Sequence, residues 1–409
     1  MISPLLPVNG YNEIYRPQYG ILVGGQNWIV ENNQIHRLIQ YNRNSDSDYT
    51  RVFGDNHILR YNSFHGSTPE EIGTAHVDCL QFFNNNGEYA QNITISYNVF
   101  NDYHQVFMGE CAHAGNTANW SFDYNIGWPT WGAWGSCTVQ IPGVRSVNCT
   151  YYGMKWFGIG IRGERAKDGV IRNNIISTTE TAMNTQDASP TIEYNLMYQC
   201  NAAGATSKDL VNVDPKMVDP AHGNFRLQKG SPAIGAGADG ATIGALEYPN
   251  VYYVDPRHPA ATDEGFGYVG RPFKTLTAAL ANVRSGETII LRDGTYRELL
   301  VPAVDGITIR SMKDEKVIFS GANVITYWFR QGQSWRAELR SQPRQVLRDG
   351  QPFNDFTYER GTISVKSDPR LHLFETIVRD HAIDLTRKPN VKVEGLDTAN
   401  THKEPVAGK

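Results

Sequence analysis

No unbroken apolar run in this chain approaches the roughly 20 residues a membrane-spanning helix requires. Its first twenty residues show neither the basic start nor the apolar stretch of a secretory leader. Cysteine is scarce: Cys79, Cys111, Cys137, Cys149 and Cys200 form no Cys-x-x-Cys pair. That excludes a zinc ribbon, a thioredoxin-type site and a disulfide framework. A net charge of −4 offers no basic face of the kind a nucleic-acid binder needs. Hairpin signals are few as well, with Asn9-Gly10 and Asn86-Gly87 the two Asn-Gly dipeptides. What these absences leave is a soluble globular chain of 409 residues, long enough for two or more domains.

The composition changes along the chain. Residues 1–250 hold 27 of the asparagines and every cysteine, whereas residues 251–409 hold 5 asparagines. Lys+Arg against Asp+Glu is 15 to 22 in the first part and 23 to 20 in the second, a net −7 followed by +3. A boundary near residue 250 is the simplest account, giving domains at 1–249 and 251–409, with Glu247-Tyr248-Pro249-Asn250 as a short linker.

The first part repeats. WIVENNQI (28–35), HILRYNSF (57–64), ITISYNVF (93–100), WSFDYNIG (120–127), VRSVNCTY (144–151), VIRNNIIS (170–177) and TIEYNLMY (191–198) each alternate into an asparagine and then resume. With Asn33, Asn62, Asn98, Asn125, Asn148, Asn174 and Asn195 as markers, the spacings are 29, 36, 27, 23, 26 and 21. Strand-like phrases at that period, with no three-turn amphipathic helix between them, predict an all-β solenoid whose coils stack about 4.8 Å apart. The asparagines suit the corners, since Asn tolerates the left-handed conformation and can bond the same residue one coil away.

Two segments carry a resemblance. VDPKMVDPAHGNFRLQKGSPAIGAGADGATIGALEYP (213–249) resembles the closing segment of right-handed parallel β-helix proteins. The resemblance implies a capping loop over the last open strand edge. VYYVDPRHP (251–259) and GRPFKTLTAALANVRSGETIILRDGTYRE (270–298) resemble the N-terminal cap and first coil of a second such unit. Phe273, Leu276, Ala279, Leu280 and Val283 predict an amphipathic helix over 272–284, ended by Gly286. About ten coils make a rod of roughly 50 Å, whereas the linker of about seven residues reaches some 25 Å. This helix is therefore expected to cap its own unit. An end without a cap followed by a cap without an end suggests part of a longer tandem protein, secreted or on the cell surface, with end-to-end contacts through uncapped coils.

The most polar coil is GTAHVDCLQFF (73–83), where His76 and Asp78 share a strand face. One repeat later, NDYHQVFMGE (101–110) supplies His104 and Glu110, the latter offset by 29 from Gln81. Trp128, Trp131 and Trp134 follow, then Lys155, Trp156, Arg162, Glu164 and Arg165. Imidazoles, carboxylates, cations and indoles along some four rungs suit an extended polysaccharide, aromatic faces stacking on sugars and charged groups moving protons. The phrase His76-x-Asp78-x-x-Gln81 followed by Asn92-Ile93-Thr94-Ile95-x-x-Asn98 resembles one in β-helix proteins grouped with pectate-lyase-like enzymes.

Three readings stay open. In a polysaccharide lyase, Lys155, Arg162, His76 or His104 removes the proton beside a uronate carboxylate, with Ca²⁺ on Asp78 and Glu110 neutralising that carboxylate. Gln81, Trp131, Trp134, Trp156 and Arg165 would then hold the polysaccharide or oligosaccharide. In a glycoside hydrolase, two of Asp78, Asp102, Glu110 and Glu164 flank the scissile bond. In a non-catalytic rod, an adhesin or tail-fibre part, the polar face only binds glycans.

Overall fold

A computed structural model describes residues 8–407 apart from 44, 85–86, 112–115, 130, 132–133, 387 and 389. It divides into two compact units: residues 1–251 with 256–274, and residues 252–255 with 275–409.

The first unit is a parallel β-helix with three sheets. Each coil contributes a short strand to sheet 1, turns a corner into sheet 2, then passes through a loop into sheet 3. Sheet 1 runs from Val8–Gly10 to Thr191–Glu193, sheet 2 from Glu13–Tyr15 to Leu210–Val211, and sheet 3 from Tyr19–Val23 to Thr181–Asn184. Neighbouring strands are parallel and in register, as in Ile95↔Phe122 of sheet 1 and Leu80↔Phe107 of sheet 3. A strand of three to seven residues cannot bury a core alone, so stability comes from coil on coil. Leu59, Ile95, Phe122 and Ile171 fill the interior with Phe64, Phe100 and Tyr151, all essentially inaccessible. Phe64 and Phe100 stack with centroids 5.2 Å apart.

The corner between sheets 1 and 2 separates two jobs that the sequence suggested one asparagine would do. The left-handed residue is the one before the marker: Tyr61, Tyr97, Tyr124, Asn148, Asn173 and Tyr194 all have φ between 54° and 60°. The marker itself points into a hydrogen-bond ladder. Asn33 Nδ2 donates to Asn62 Oδ1 (3.0 Å), Asn62 to Asn98 (3.0 Å) and Asn98 to Asn125 (3.1 Å). Each Nδ2 also donates to a carbonyl of the preceding coil, Asn98 to Leu59 O at 2.9 Å, for example. Asn148 therefore stands at the left-handed position, and Cys149 takes the ladder place. Its Sγ approaches Phe122 O (3.4 Å) and lies 3.9 Å from Asn125 Nδ2. Asn12 and Asp209 extend the ladder at its two ends.

The segment 213–249 does not close the last strand edge. It turns back along the outside of sheet 2, where Phe225, Leu227, Ala233, Ile243 and Ala245 pack on Ile126, Trp128, Ile175 and Leu196. Ala245 N donates to Thr150 Oγ1 at 2.9 Å. Residues 256–274 continue this return: Tyr268 Oη donates to Gly223 O (2.8 Å), His258 Nε2 meets Tyr61 O (2.9 Å), and Arg257 Nη2 reaches Tyr11 Oη (3.3 Å). The length argument from the linker failed because some sixty residues, not seven, make the return.

In the second unit the helix is Leu276–Asn282, shorter than expected. Thr275 caps it, its Oγ1 accepting from Ala278 N at 3.1 Å, while residues 272–274 belong with the first unit. Thr288–Leu291, Thr308–Ser311 and Lys392–Glu394 pair in parallel, as do Gly294–Tyr296, Val317–Ser320 and Leu396–Ala399. Between those coils, residues 322–377 build two four-stranded antiparallel sheets around Ile325, Val346, Phe353, Ile363 and Phe374.

Candidate functional site

Sheet 3 places the polar residues. Its register aligns Tyr19 with Asp48, and Asp78 with Gln105, which in turn aligns with Trp134; one position set further along, Leu22 aligns with Arg51, Arg51 with Gln81, and Gln81 with Met108. The phrases DYTR (48–51), DCLQ (78–81) and QVFM (105–108) are thus one motif read on three successive rungs. That recurrence was the available signal for Asp48, Arg51 and Gln105, which the sequence reading passed over.

Asp78 and Asp48 are both fully buried. Burial pushes both carboxyls up, and the nearby Asp78 adds to the rise at Asp48, which reaches about 7 despite the guanidinium of Arg51. Arg51 Nε donates to Asp48 Oδ2 at 2.7 Å, and its guanidinium lies 4.3 Å from the Tyr19 ring centroid. His76 Nδ1 is 3.3 Å from Asp78 Oδ1, close enough for an ion pair but long for a hydrogen bond. The contact with Asp78 raises His76 above its ordinary value. The imidazole of His76 is 42% exposed while its carboxylate is sealed beneath it, so one end of the pair faces water.

His104 is the opposite case. Its ring stacks on His76 with centroids 5.2 Å apart and planes at 7°. Burial, with His76 alongside, lowers its titration to about 4. Val77 N donates to His104 Nδ1 at 3.0 Å, so that nitrogen is an acceptor and the remaining proton sits on Nε2. The neutral form of His104 is favoured, with Nε2–H free to donate. Gln105 Nε2 lies 3.0 Å from His76 Nε2 and its buried Oε1 has no hydrogen bond. Rotating the amide would let Oε1 accept from a protonated His76, so Gln105 can serve either charge state.

The remaining candidates spread along the same sheet. Trp131 packs edge-on against His104 (4.9 Å) and donates through Nε1 to Ser67 O (2.9 Å). Trp134 lies two rungs beyond Asp78, tilted against Trp156 at 4.5 Å, and Lys155 Nζ is 5.6 Å from the Trp156 ring. Trp156 is 42% exposed and borders a shallow groove of about 580 Å³ with Phe157, Thr181 and Asn184. Trp128 is buried under Phe225 and faces no groove.

Glu110 does not join Asp78. The register sets it opposite Phe83 rather than Gln81, five residues along the strand, in an exposed position. Arg162 lies two rungs past Glu110, across Val139, and donates to Gln186 Oε1 at 3.0 Å. Arg165 sits in the turn beyond, its backbone N–H on Gln140 Oε1. No group of three His, Cys, Asp or Glu side chains converges as a metal site among the described residues. Asp78 and Glu110 lie five residues apart along the sheet and together do not fit a Ca²⁺ ion. Asp102 points elsewhere, its Oδ2 accepting from Gly66 N at 2.9 Å.

No protein-family model matches the chain. Over 71 residues it is 37% identical to the uncharacterized protein YwoF of Bacillus subtilis (strain 168), a match that covers 16% of this chain and 15% of that protein. Among solved structures, the complex of XylC with xylose aligns over 38% of this chain and 36% of its own, at 20% identity and a TM-score of 0.32. A mutant of the PL6-family alginate lyase AlyGC aligns over 97% of this chain and 68% of its own, at 12% identity and a TM-score of 0.25. No helix in the described residues is long and apolar enough to cross a membrane.

Proposed function

We propose that the first unit acts on a uronate-containing polysaccharide by β-elimination, with sheet 3 as its groove. The observation that carries this is the pair formed by an exposed imidazole, His76, and a sealed carboxylate, Asp78. With Nδ1–H held toward Asp78, His76 Nε2 exchanges its contact with Gln105 Nε2 for the substrate and takes the proton at C5 of a uronate. The C4–O bond then breaks, a C4=C5 double bond forms, and the proton passes to the departing oxygen. Arg51 is the cation nearest this pair on the sheet face and meets the substrate carboxylate. His104 donates from Nε2 to a sugar oxygen, and Trp134 and Trp156 stack on the chain two to three rungs away, about 10–14 Å along the axis.

A hydrolase reading fares worse on the same geometry. Two-carboxylate mechanisms need both groups facing the sugar, about 5–9.5 Å apart. Asp48 and Asp78 are adjacent but sealed, Asp102 accepts from Gly66 N, and Glu110 lies five residues along the strand from the position level with Asp78. We take the coil as right-handed, the hand that governs parallel crossovers, and the parallel pairs of the second unit as first coils of another such helix. A substrate of this class places the protein outside the cell.

The test is to incubate the chain with uronate polymers and follow the ultraviolet absorbance of unsaturated products. A rise that His76→Ala abolishes supports the reading. Reducing ends released without that absorbance would replace it with hydrolysis, and binding without any product would leave a glycan-binding rod.

A further inference from the structure

We propose that the antiparallel sheet of the second unit carries a separate carbohydrate site that binds uronate residues of an acidic polysaccharide. The sheet orders Phe329–Gln331, Ser334–Glu338, Thr362–Val365 and Phe356–Glu359. At one end of it lies a groove of about 720 Å³, bordered by Tyr327, Phe329, Glu338, Arg340, Arg360 and Thr362. The site takes the same class of polymer as the proposed substrate, but it needs no catalysis.

Tyr327 is the first reason. It is 94% exposed and has φ of 58°. Among the described residues no ring contact or hydrogen bond engages it. Phe329 beside it is 48% exposed. Two open aromatic faces at the rim of a concave surface suit the C–H face of a pyranose.

The arginines are the second reason. Elsewhere in the second unit Arg370 pairs with Asp368 at 2.6 Å and Arg344 with Asp380 at 3.4 Å, whereas the two arginines bordering this groove pair with no carboxylate among the described residues. Arg340 and Arg360 are exposed and have no ion pair among the described residues. A planar guanidinium fork binds a carboxylate through two parallel hydrogen bonds, which a neutral sugar cannot supply. Glu338 and Thr362, register partners on adjacent strands, are left to take the sugar hydroxyls. Aromatic stacking plus two unpaired guanidiniums defines a ligand that is both a ring and an anion.

The experiment is electrophoresis of the full chain through native gels containing polygalacturonate, polymannuronate or their carboxyl-reduced forms. The wild-type chain is expected to be retarded by the acidic polymers and not by the reduced ones. Tyr327→Ala, and separately Arg340→Ala with Arg360→Ala, should lower apparent affinity about tenfold or more, whereas Arg344→Ala, at a guanidinium paired with Asp380, should keep it. These positions are exposed, and circular dichroism checks that each variant folds. Unchanged retardation of either second-unit variant, equal retardation by the reduced polymers, or no retardation of the wild type overturns the proposal. Retardation that needs Tyr327 in a chain giving no unsaturated product would keep this site and discard the lyase reading.

Discussion

In the proposed elimination a single proton on His76 decides the chemistry. The base must be neutral to take a proton, and Asp78 raises the imidazole above its ordinary value near 6.5. Turnover should therefore climb with pH through and beyond neutrality, and a kcat/KM profile flat from pH 5 to 8 would remove His76 as the base. Asp78→Asn keeps the shape but loses the charge that orients the ring, so activity should fall on the order of 10²–10³-fold. Because a buried carboxyl whose pKa is raised favours its neutral form, the same change should not lower the melting temperature at pH 8. Asp48 gives a second, purely thermodynamic reading. Its folded value of about 7 lies above the unfolded value near 4, so the folded state holds the extra proton between those limits. Stability is lost as pH rises through that window, at up to about 1.4 kcal/mol per unit. Asp48→Asn should flatten that slope, measured as chemical denaturation at pH 5 and pH 8; an unchanged slope would show that the carboxyl titrates normally.

The corner ladder is the element that holds the coils in register. Asn98 Oδ1 accepts from both Asn62 N (2.9 Å) and Asn62 Nδ2, and its own Nδ2 serves Leu59 O and Asn125 Oδ1. Asn98→Ala strands several buried groups at once, at about 1–3 kcal/mol each where no water enters, so a loss of roughly 3 kcal/mol is expected in urea unfolding. Cys149→Asn should do the reverse, adding about 1 kcal/mol, because its thiol already occupies the two places an amide would fill. The asparagine period made the coil legible in sequence, since a corner that demands one side chain repeats wherever the corner does. Six of the seven markers fall on the ladder; Asn148 misled because its neighbour Cys149 is no obvious substitute. The polar triplets of sheet 3 were harder to see. Asp48 and Asp78 repeat, but Gln105 breaks the pattern and the residues between them differ, so the shared position becomes plain once the register is known. Glu110 misled for the same reason: an offset counted from Gln81 ignores the two-residue difference that sets it opposite Phe83.

Over the whole molecule, the two units keep separate cores: Leu59, Phe100 and Phe122 belong to one, Ile363 and Phe374 to the other. Calorimetry should accordingly resolve two transitions. Asn98→Ala should lower one of them and Ile363→Ala the other, the latter by the 2–5 kcal/mol usual for a buried isoleucine. One transition shifted equally by both variants would mean that the units unfold as a single body. The coil spacing has a further consequence. A rise of about 4.8 Å is close to the length of one sugar in an extended polymer, so the proposed groove would be graduated in monomers. Inserting or deleting a whole coil between Asp78 and Trp134 would move the cleavage point relative to the aromatic rungs by one sugar, and the size of the released oligosaccharide would change in integer steps.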